Sequence, residues 1–132
     1  MILVDTSAWI EFLRSTNSPA HLRVRSSLAN REPLATTEVV AMEVLAGAAD
    51  AAHLQRLRRL LFGCRLLSLR GLADYEDAAA LHRACRARGV TVGRLTDCLI
   101  ATVALRWGVP VLHADRDFDR IAQCTPLQIE RA

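Results

Sequence analysis

The chain has 132 residues, the length of one ordinary domain, and needs no disulfide or structural metal to bury a core. Hydrophobic residues make up 52% of the chain and charged residues 23%, which excludes an intrinsically disordered protein. The net charge is +3, and all 17 basic residues are arginine. Because lysine is absent, P-loop nucleotide hydrolysis, Schiff-base catalysis and the lysine-dependent phospho-receiver switch are excluded.

The predicted elements alternate between short strands and helices. Ile2–Val4 is a buried strand, and the hydroxyls of Thr6 and Ser7 are placed to cap the helix that follows. The later elements are a helix opening at Ser18-Pro19, a weak strand or turn at 33–35, helices at about 37–47 and 50–62, a strand at 65–69, a helix at about 73–88, a helix capped by Gly93 or Thr96 and ending near 107, a strand at 111–113, a short acidic segment at 115–119 and a closing strand near 127–129. Strands separated by helices pair in parallel with helices on both faces, so the sequence predicts an α/β fold in one domain over residues 1–132.

The four cysteines show no metal-binding spacing. No CxxC pair occurs, and histidines at zinc-finger spacing are absent, so we interpret as reduced core thiols Cys64, Cys85, Cys98 and Cys124. The N-terminus lacks the basic leader and cleavage site of a signal peptide, and no apolar run reaches the roughly 18 residues of a membrane span. We therefore expect a cytoplasmic protein without membrane contact.

Two aspartates come just after predicted strands. Asp5 directly follows Ile2–Val4, and Asp115 follows the strand at 111–113 and Ala114. In open parallel sheets ligands bind beyond the carboxyl ends of the strands. Adjacent pairing of these two strands would therefore bring both carboxylates to one edge. Taken alone, Asp5 would also suit a turn or a helix N-cap.

Two further acids lie on the apolar stripes of predicted helices. Glu43 lies three residues after Val40 and four after Val39, which places it on their buried face. Asp97 lies three residues before Ile100, in the first turn of its helix. The helix dipole would also favour an acid at the position of Asp97, by about 0.3–1 kcal/mol. A charge on a core-facing stripe needs a partner.

Convergence of these four carboxylates would call for a bound cation. Two carboxylates about 4 Å apart repel by roughly 4 kcal/mol at an effective dielectric near 20. Oxygen ligands without histidine or thiolate favour Mg²⁺ or Mn²⁺ over zinc. The chemistry that this arrangement predicts is phosphodiester hydrolysis.

Four segments carry a family resemblance. They are "ILVDTSAWIEFL" at the start, "TTEVVAMEVLAG" with Glu43, "LTDCLIATVA" with Asp97 and "VLHADRDFDRIA" with Asp115. In this order and spacing they resemble the four motifs of PIN-domain ribonucleases, in particular the VapC-type toxins of bacterial toxin–antitoxin pairs. The resemblance spans almost the whole chain. It implies a single PIN-like nuclease domain, a three-layer α/β/α sandwich with a mainly parallel five-stranded sheet.

The resemblance also implies residue roles. The catalytic and metal-binding acids correspond to Asp5, Glu43, Asp97 and Asp115. Asp117 matches a further acid that would bind a second metal ion or only a water. Thr6 or Ser7 matches a hydroxyl that would orient the first carboxylate, a metal-bound water or the substrate. His113 stands where many members have Thr or another polar residue, so it would either touch substrate or form a hydrogen bond at the strand end.

RNA would be held mainly through its phosphates, which predicts a steep salt dependence of binding. Arginine forks match phosphate oxygens, although a codon bias toward arginine would produce the same excess. Arg94 and Arg116 are the candidate phosphate contacts because each lies near a site carboxylate in the sequence. For either residue, the alternative is an ordinary surface arginine or a structural salt bridge.

The expected function is therefore a Mg²⁺- or Mn²⁺-dependent endoribonuclease that acts as a toxin. Its expected partners are RNA and a small cognate antitoxin, in a homodimer or a toxin–antitoxin hetero-oligomer. An excess of apolar side chains suggests a groove for an amphipathic antitoxin helix; these side chains are Trp9, Phe12, Leu13, Leu54, Leu57, Leu60 and Leu61. An arginine of that partner would then pair with the site acids.

Two other functions fit part of the pattern. A non-catalytic PIN-like RNA-binding or interaction module would use the acids only to hold a structural ion. A haloacid-dehalogenase-type phosphatase would need a second aspartate two residues after the first, and a lysine. Ser7 occupies that position and lysine is absent, which disfavours the phosphatase.

Overall fold

A computed structural model describes residues 1–132. The chain forms four strands and seven helices, in the order β1 (Ile2–Val4), α1 (Thr6–Leu13), α2 (Pro19–Ala29), β2 (Leu34–Thr36), α3 (Glu38–Ala46), α4 (Ala51–Phe62), β3 (Arg65–Leu66), α5 (Leu72–Ala87), α6 (Leu95–Trp107), β4 (Val111–Leu112) and α7 (Arg116–Cys124). The predicted alternation of strands and helices is confirmed. The segment predicted only as short and acidic is a nine-residue helix, α7.

The strands form one parallel sheet in the order β3-β2-β1-β4. The predicted adjacent pairing of the first strand and the strand before Asp115 is confirmed, since Val4 lies opposite Leu112. Because all strands run the same way, their carboxyl ends share one edge of the sheet. That edge carries the acids that follow β1 and β4.

The sheet has four strands, so the expectation of five was wrong. The closing segment meets β4 through a single bridge between Val111 and Ile129. Val111 donates its N–H to Gln128 (3.0 Å) and accepts from Glu130 (2.9 Å). Leu112, the other residue of β4, directs its carbonyl to β1 instead, because alternate residues of a strand turn their hydrogen-bonding groups to opposite sides. A two-residue strand therefore leaves only one residue for the closing segment.

Strand β3 is also shorter than the predicted 65–69. Leu67 still donates its N–H to the carbonyl of Thr36, at 2.8 Å. Two residues later, the N–H of Leu69 is bound by the Glu38 carboxylate at 3.1 and 3.2 Å. The side chain at the start of α3 thus replaces a sheet partner, and the chain leaves the sheet.

Two helix caps differ from the sequence-based prediction. The N-cap of α1 is Asp5, whose carboxylate accepts the N–H of Ser7. The predicted Thr6 or Ser7 hydroxyl does not cap this helix, and the alternative role of Asp5 as a helix N-cap is confirmed. Helix α6 has Arg94 at its N-cap position and no side-chain cap, in place of Gly93 or Thr96. The other predicted opening, at Ser18-Pro19, is confirmed, with the Ser18 hydroxyl accepting from the first turn of α2.

Both faces of the sheet are covered. Neighbouring residues of a strand point to opposite faces, and yet all residues of β1, β2 and β4 are buried. The largest fully buried side chains come from both strands and helices and include Trp9, Phe118, Leu3, Leu61, Leu67, Ile100 and Leu112. No helix is both long enough and apolar enough to span a lipid bilayer.

Candidate active site

The carboxyl edge of the sheet gathers five acids from four segments of the chain. Asp5 follows β1 and Asp115 follows β4, while Asp97 and Asp117 lie in the first turns of α6 and α7. Glu43 reaches the same region from the middle of α3, where its Oε1 accepts the hydroxyl of Thr6 at 3.0 Å. The structure therefore brings together all five acids that the sequence singled out.

Three of these acids form a compact cluster. One carboxylate oxygen from each of Asp97, Asp115 and Asp117 lies within 4.8 Å of the other two. Asp97 and Asp117 are buried, and Asp115 is half-buried. Asp115 also N-caps α7, since its Oδ1 accepts the N–H of Asp117 at 2.9 Å.

Asp5 is oriented by the serine two residues after it. Its Oδ2 accepts the N–H of Ser7 at 3.0 Å and the hydroxyl at 2.6 Å. The same hydroxyl accepts the N–H of Ala114, at 2.9 Å, and so ties the end of β1 to the end of β4. The other oxygen of Asp5, Oδ1, is buried without a hydrogen-bond partner. Ser7 thus fixes one oxygen and leaves the other free to bind a ligand.

Glu43 stands outside the compact cluster and has two partners of its own. Besides accepting from Thr6, it forms an ion pair with Arg94, with 2.6 Å between Nη2 and Oε2. The Arg94 side chain is 58% exposed and that of Glu43 only 15%. Arg94, a predicted phosphate contact, is therefore bound to a site acid, while much of its side chain remains exposed to solvent. Arg116, the second predicted phosphate contact, is exposed and forms no ion pair.

Asp117 is the most firmly held of the acids. Its Oδ2 accepts the N–H groups of Gly93 and Arg94 at 3.1 and 3.2 Å, and its Oδ1 pairs with Arg120 at 3.0 Å. Burial pushes the pKa of Asp117 upward, but these hydrogen bonds and that of Asp97 outweigh it, so its pKa lies below the ordinary value. Asp117 is consequently ionised and fixed in place.

Asp97 is in the opposite condition. Burial is the main reason that its pKa rises from 3.8 to about 9, and the nearby Asp115 and Asp5 carboxyl groups add to the shift. Burial likewise raises the pKa of Asp5, although the hydrogen bonds from Ser7 oppose it. Two of the acids are therefore hard to ionise unless a positive charge joins them.

The donor set suits a hard divalent cation. Oδ1 of Asp5 and Oδ2 of Asp97 are buried carboxylate oxygens without any hydrogen-bond partner, which is costly for oxygens that carry charge. The surrounding groups are carboxylates, with no thiolate or free imidazole among them. Mg²⁺ and Mn²⁺ take oxygen ligands of this kind, so the residues fit such an ion.

His113 lies beside the site, but both of its ring nitrogens and its ring face make contacts within the protein. Its Nδ1 accepts the N–H of Asp115 at 3.0 Å, its Nε2 lies 3.3 Å from Asp119, and its ring packs on Phe118 with centroids 5.3 Å apart. Of the two interpretations of this residue, the structure matches the hydrogen-bonded strand end. Asp119 is exposed on α7.

Sequence reasoning missed two residues that shape the site. The sequence predicts Gly93 only as a helix cap, but in the structure its N–H holds Asp117, and a Cβ there would lie 3.4 Å from Oδ2 of that carboxylate. Arg120, which pairs with Asp117, is not among the predicted site residues. The spacing of three residues on one helix was the available signal for Arg120, whereas nothing local marked Gly93.

Solved structures share this fold. The VapBC-1 complex of nontypeable Haemophilus influenzae has a TM-score of 0.74 at 19% identity and covers 99% of this chain and 98% of that one. Mycobacterium tuberculosis VapC20, described as a toxin that cleaves the sarcin-ricin loop, has a TM-score of 0.70 at 19% identity, covering 97% and 99%. At these identities the likeness establishes the fold alone.

Sequence comparison gives a closer relation. Ribonuclease VapC11 of Mycobacterium tuberculosis is 44% identical over 129 residues, 97% of this chain and 96% of the relative. Ribonuclease VapC51 of the same organism is 31% identical over 123 residues, 93% of this chain and 86% of the relative. The family model of the PIN domain matches residues 2–123. A match over nearly the full length, on a fold whose sheet edge gathers the acids of all four motifs, shows that the chain belongs to the PIN-domain family.

Proposed function

We propose that this protein is an endoribonuclease of the VapC type, which hydrolyses RNA phosphodiester bonds with Mg²⁺ or Mn²⁺ and acts as the toxin of a toxin–antitoxin pair. The observation that carries the proposal is the acidic pocket, in which buried oxygens of Asp5 and Asp97 have no partner. Relatives that match nearly the whole chain are named ribonucleases. An RNA target and an antitoxin made in the same cell imply action in the cytoplasm.

All five acids take part in cation binding in this proposal. Asp5, Asp97 and Asp115 would hold the cation, with Glu43 and Asp117 completing the set. A divalent ion, when bound, supplies the positive charge that activates the nucleophile and stabilises the charge developing on the phosphate. Ser7 orients Asp5, and Thr6 orients Glu43.

The arginines around the pocket would bind the RNA phosphates. The exposed Arg116 is free to do so directly. Arg94 is held by Glu43, and its exposed guanidinium would turn to a phosphate once Glu43 ligates the cation. Binding through phosphates should weaken steeply as salt is raised.

Cleavage of RNA with and without EDTA tests this function. Purified protein should cut a mixed RNA with Mg²⁺ or Mn²⁺ and stop when EDTA is added. Asp97→Asn should lose at least about 100-fold in rate, a typical loss when a charge-stabilising group is removed. Glu76→Gln is the matched control, because Glu76 is an exposed acid on α5 away from the pocket. Cleavage by Asp97→Asn at the wild-type rate would refute the proposal.

Asp5 needs a more careful substitution than Asp97. Its carboxylate also caps α1, so Asp5→Ala removes a helix cap worth about 1 kcal/mol together with the ligand. Asp5→Asn keeps an oxygen that accepts from Ser7. Both variants should be inactive, and Asp5→Asn should unfold at nearly the wild-type temperature.

The alternative, a non-catalytic PIN-like RNA-binding or interaction module, is not favoured. Such a module would not need every acid of the four motifs. The relatives that match nearly all of this chain are named ribonucleases. RNA binding without any metal-dependent cleavage, by protein shown to bind Mn²⁺, would favour the module.

The inhibiting partner would bind beside the acidic pocket. A groove of about 250 Å³ is lined by Ile10, Leu13, Val44 and Leu57, and Glu43 lies at its wall. Of the apolar residues singled out for such a groove, Leu13 and Leu57 line it, whereas Trp9 and Leu61 are fully buried in the core. An amphipathic antitoxin helix in this groove would bring its own arginine within reach of Glu43.

The state of assembly is a proposal of the same kind. Several of the solved structures with this fold are complexes of toxin and antitoxin. We expect a homodimer of this chain, or a hetero-oligomer with the antitoxin. Molar mass from light scattering, with and without the antitoxin, distinguishes these assemblies.

A further inference from the structure

A second charged surface lies at the opposite end of the sheet from the acids. Between Asp50 and Asp74 the chain contains no acidic residue but five arginines: Arg56, Arg58, Arg59, Arg65 and Arg70. Three arginines, Arg31, Arg59 and Arg65, line a cavity of about 530 Å³. None of these three forms an ion pair, and all are exposed.

The one acid of this cavity does not neutralise it. Glu32 lies in the cavity wall, but its carboxylate is already bound by Arg23 at 3.0 Å and by the hydroxyl of Ser27 at 3.1 Å. The arginines around the cavity therefore have no acidic partner within the chain and are available to bind an external anion.

Two exposed aromatic rings lie against arginines of this region of the chain. The guanidinium of Arg58 lies 5.1 Å from the ring centre of Phe62, and that of Arg65 lies 5.1 Å from the ring centre of Trp107. Phe62 is 68% exposed and Trp107 is 40% exposed. Rings and guanidinium planes of this kind stack with unpaired nucleic-acid bases.

Topology places this surface at the amino ends of the strands. Arg31 precedes β2, Arg65 is the first residue of β3, and Trp107 ends the helix that precedes β4. The acids follow the carboxyl ends of the same strands. A strand of three residues spans only about 10 Å, so one RNA molecule of modest length reaches both ends.

We propose that this basic-aromatic face, formed by Arg31, Arg58, Arg59, Phe62, Arg65 and Trp107, is a second RNA-binding site that holds substrate phosphates and unpaired bases away from the acidic pocket. The proposal rests on the proposed function, because RNA is its ligand. RNA is the favoured occupant because its phosphates pair with the arginines and its unpaired bases stack on the rings, so one ligand uses both features of this face.

The test is binding of a fluorescein-labelled 20-nucleotide single-stranded RNA in EDTA, which prevents cleavage. The variant Arg58→Gln/Arg59→Gln/Arg65→Gln should bind about tenfold more weakly than wild type, and its salt slope should fall by about 2, since each lost phosphate contact on a single strand removes about 0.7. The matched control removes three exposed, unpaired arginines elsewhere, in Arg25→Gln/Arg83→Gln/Arg86→Gln. The control should bind nearly as wild type.

Tryptophan fluorescence gives an independent measurement. The chain has two tryptophans, and Trp9 is fully buried, so quenching by added RNA reports on Trp107. RNA should quench wild type and the control but not Trp107→Phe. If Arg58→Gln/Arg59→Gln/Arg65→Gln folds poorly, Arg31→Gln/Arg59→Gln, which disturbs neither ring contact, replaces it with an expected loss of severalfold.

Several outcomes would overturn the proposal. Equal weakening by the two triple variants would mean that only net charge matters. Competition by polyglutamate as effective as that by unlabelled RNA would favour an acidic protein partner. If the variant Arg58→Gln/Arg59→Gln/Arg65→Gln differs from wild type in molar mass but not in RNA affinity, the face is instead a contact between copies of this chain. If wild type cleaves RNA but the variants bind RNA as tightly as wild type does, this site is refuted and the nuclease function stands. If RNA binding depends on this face but no metal-dependent cleavage occurs, this site stands and the nuclease function is refuted.

Discussion

Both oxygens of the Glu43 carboxylate have partners, and one of them is a cation from the chain itself. Arg94 reaches Oε2 at 2.6 Å from the N-cap position of α6, while Thr6 donates to Oε1. A cation bound by Glu43 would be repelled by this guanidinium. Arg94 therefore competes with the cation for one acid and, by its exposure, is available for a phosphate afterwards.

Removal of Arg94 should consequently strengthen metal binding. An ion pair with an exposed arginine is worth about 0.2–1 kcal/mol, so Arg94→Gln should bind Mn²⁺ about 1.5- to 5-fold more tightly in calorimetry without RNA. Arg116→Gln is the control, because it removes the same charge near the pocket without breaking an ion pair. An equal gain in both variants would show that the Arg94–Glu43 contact does not compete with the metal.

The raised pKa of Asp97 predicts how stability depends on pH in EDTA. A carboxyl group with a pKa of about 9 in the folded protein and 3.8 in the unfolded chain binds its proton more tightly when folded. Its contribution is complete below pH 3.8 and is lost as the pH rises toward 9. The unfolding temperature of wild type should fall by about 5 °C or more between pH 5.5 and 8.5. The unfolding temperature of Asp97→Asn should fall clearly less over this range. Adding Mn²⁺ at pH 8.5 should restore the unfolding temperature of wild type.

At the scale of elements, α6 must be held so that its first turn presents Asp97. Its other end is anchored by Arg106, which donates to the fully buried Asp74 of α5 at 2.7 Å and to the carbonyl of Ser68 at 2.7 Å. Burial pushes the pKa of Asp74 upward, but the N–H of Arg70 and the guanidinium of Arg106 outweigh it and keep the pKa below its ordinary value. The pair is therefore charged at neutral pH.

Breaking this buried ion pair should strongly destabilise the folded protein. Asp74→Ala leaves Arg106 without its partner, so we expect the free energy of unfolding in urea to fall by about 3 kcal/mol. Asp77→Ala is the control, because Asp77 is 62% exposed and lies 3.9 Å from Arg70. Its effect should stay within about 0.5 kcal/mol. A similar small effect for Asp74→Ala would mean that helix packing alone positions α6.

At the scale of the whole molecule, the binding surfaces are separated. The acidic pocket lies at the carboxyl edge of the sheet with the apolar groove beside it, and the basic-aromatic face lies at the amino edge. A partner in the groove can thus block the acids without covering the face, and RNA can contact the face without entering the groove.

The groove can be tested without touching the chemistry. Ile10 is 38% exposed in the groove wall, so Ile10→Glu should fold normally and cut RNA at the wild-type rate. A buried carboxylate would oppose docking of an apolar helix, so the antitoxin should no longer co-purify. Leu22→Glu, at a residue of α2 that is 39% exposed and outside the groove, is the control. Normal co-purification with Ile10→Glu would place the antitoxin elsewhere.

Local information in the sequence determined much of this protein. Apolar runs and helical spacing predicted the order of strands and helices, and parallel pairing predicted that Asp5 and Asp115 share an edge. Glu43 and Asp97 were found because a charge on an apolar stripe needs a partner. Such inferences hold because strand ends and helix faces depend on neighbours only a few residues away.

Only the tertiary structure decided the remaining features, because they depend on groups far apart in the chain. The Arg94–Glu43 pair joins residues 51 positions apart, and the amide of Gly93 meets Asp117 across 24 positions. Whether the closing segment forms a strand depended on how many residues of β4 face it, and that number followed from long-range hydrogen bonds. Spacing along the chain fixes which face a residue occupies, but which atoms meet across that face depends on how the elements pack.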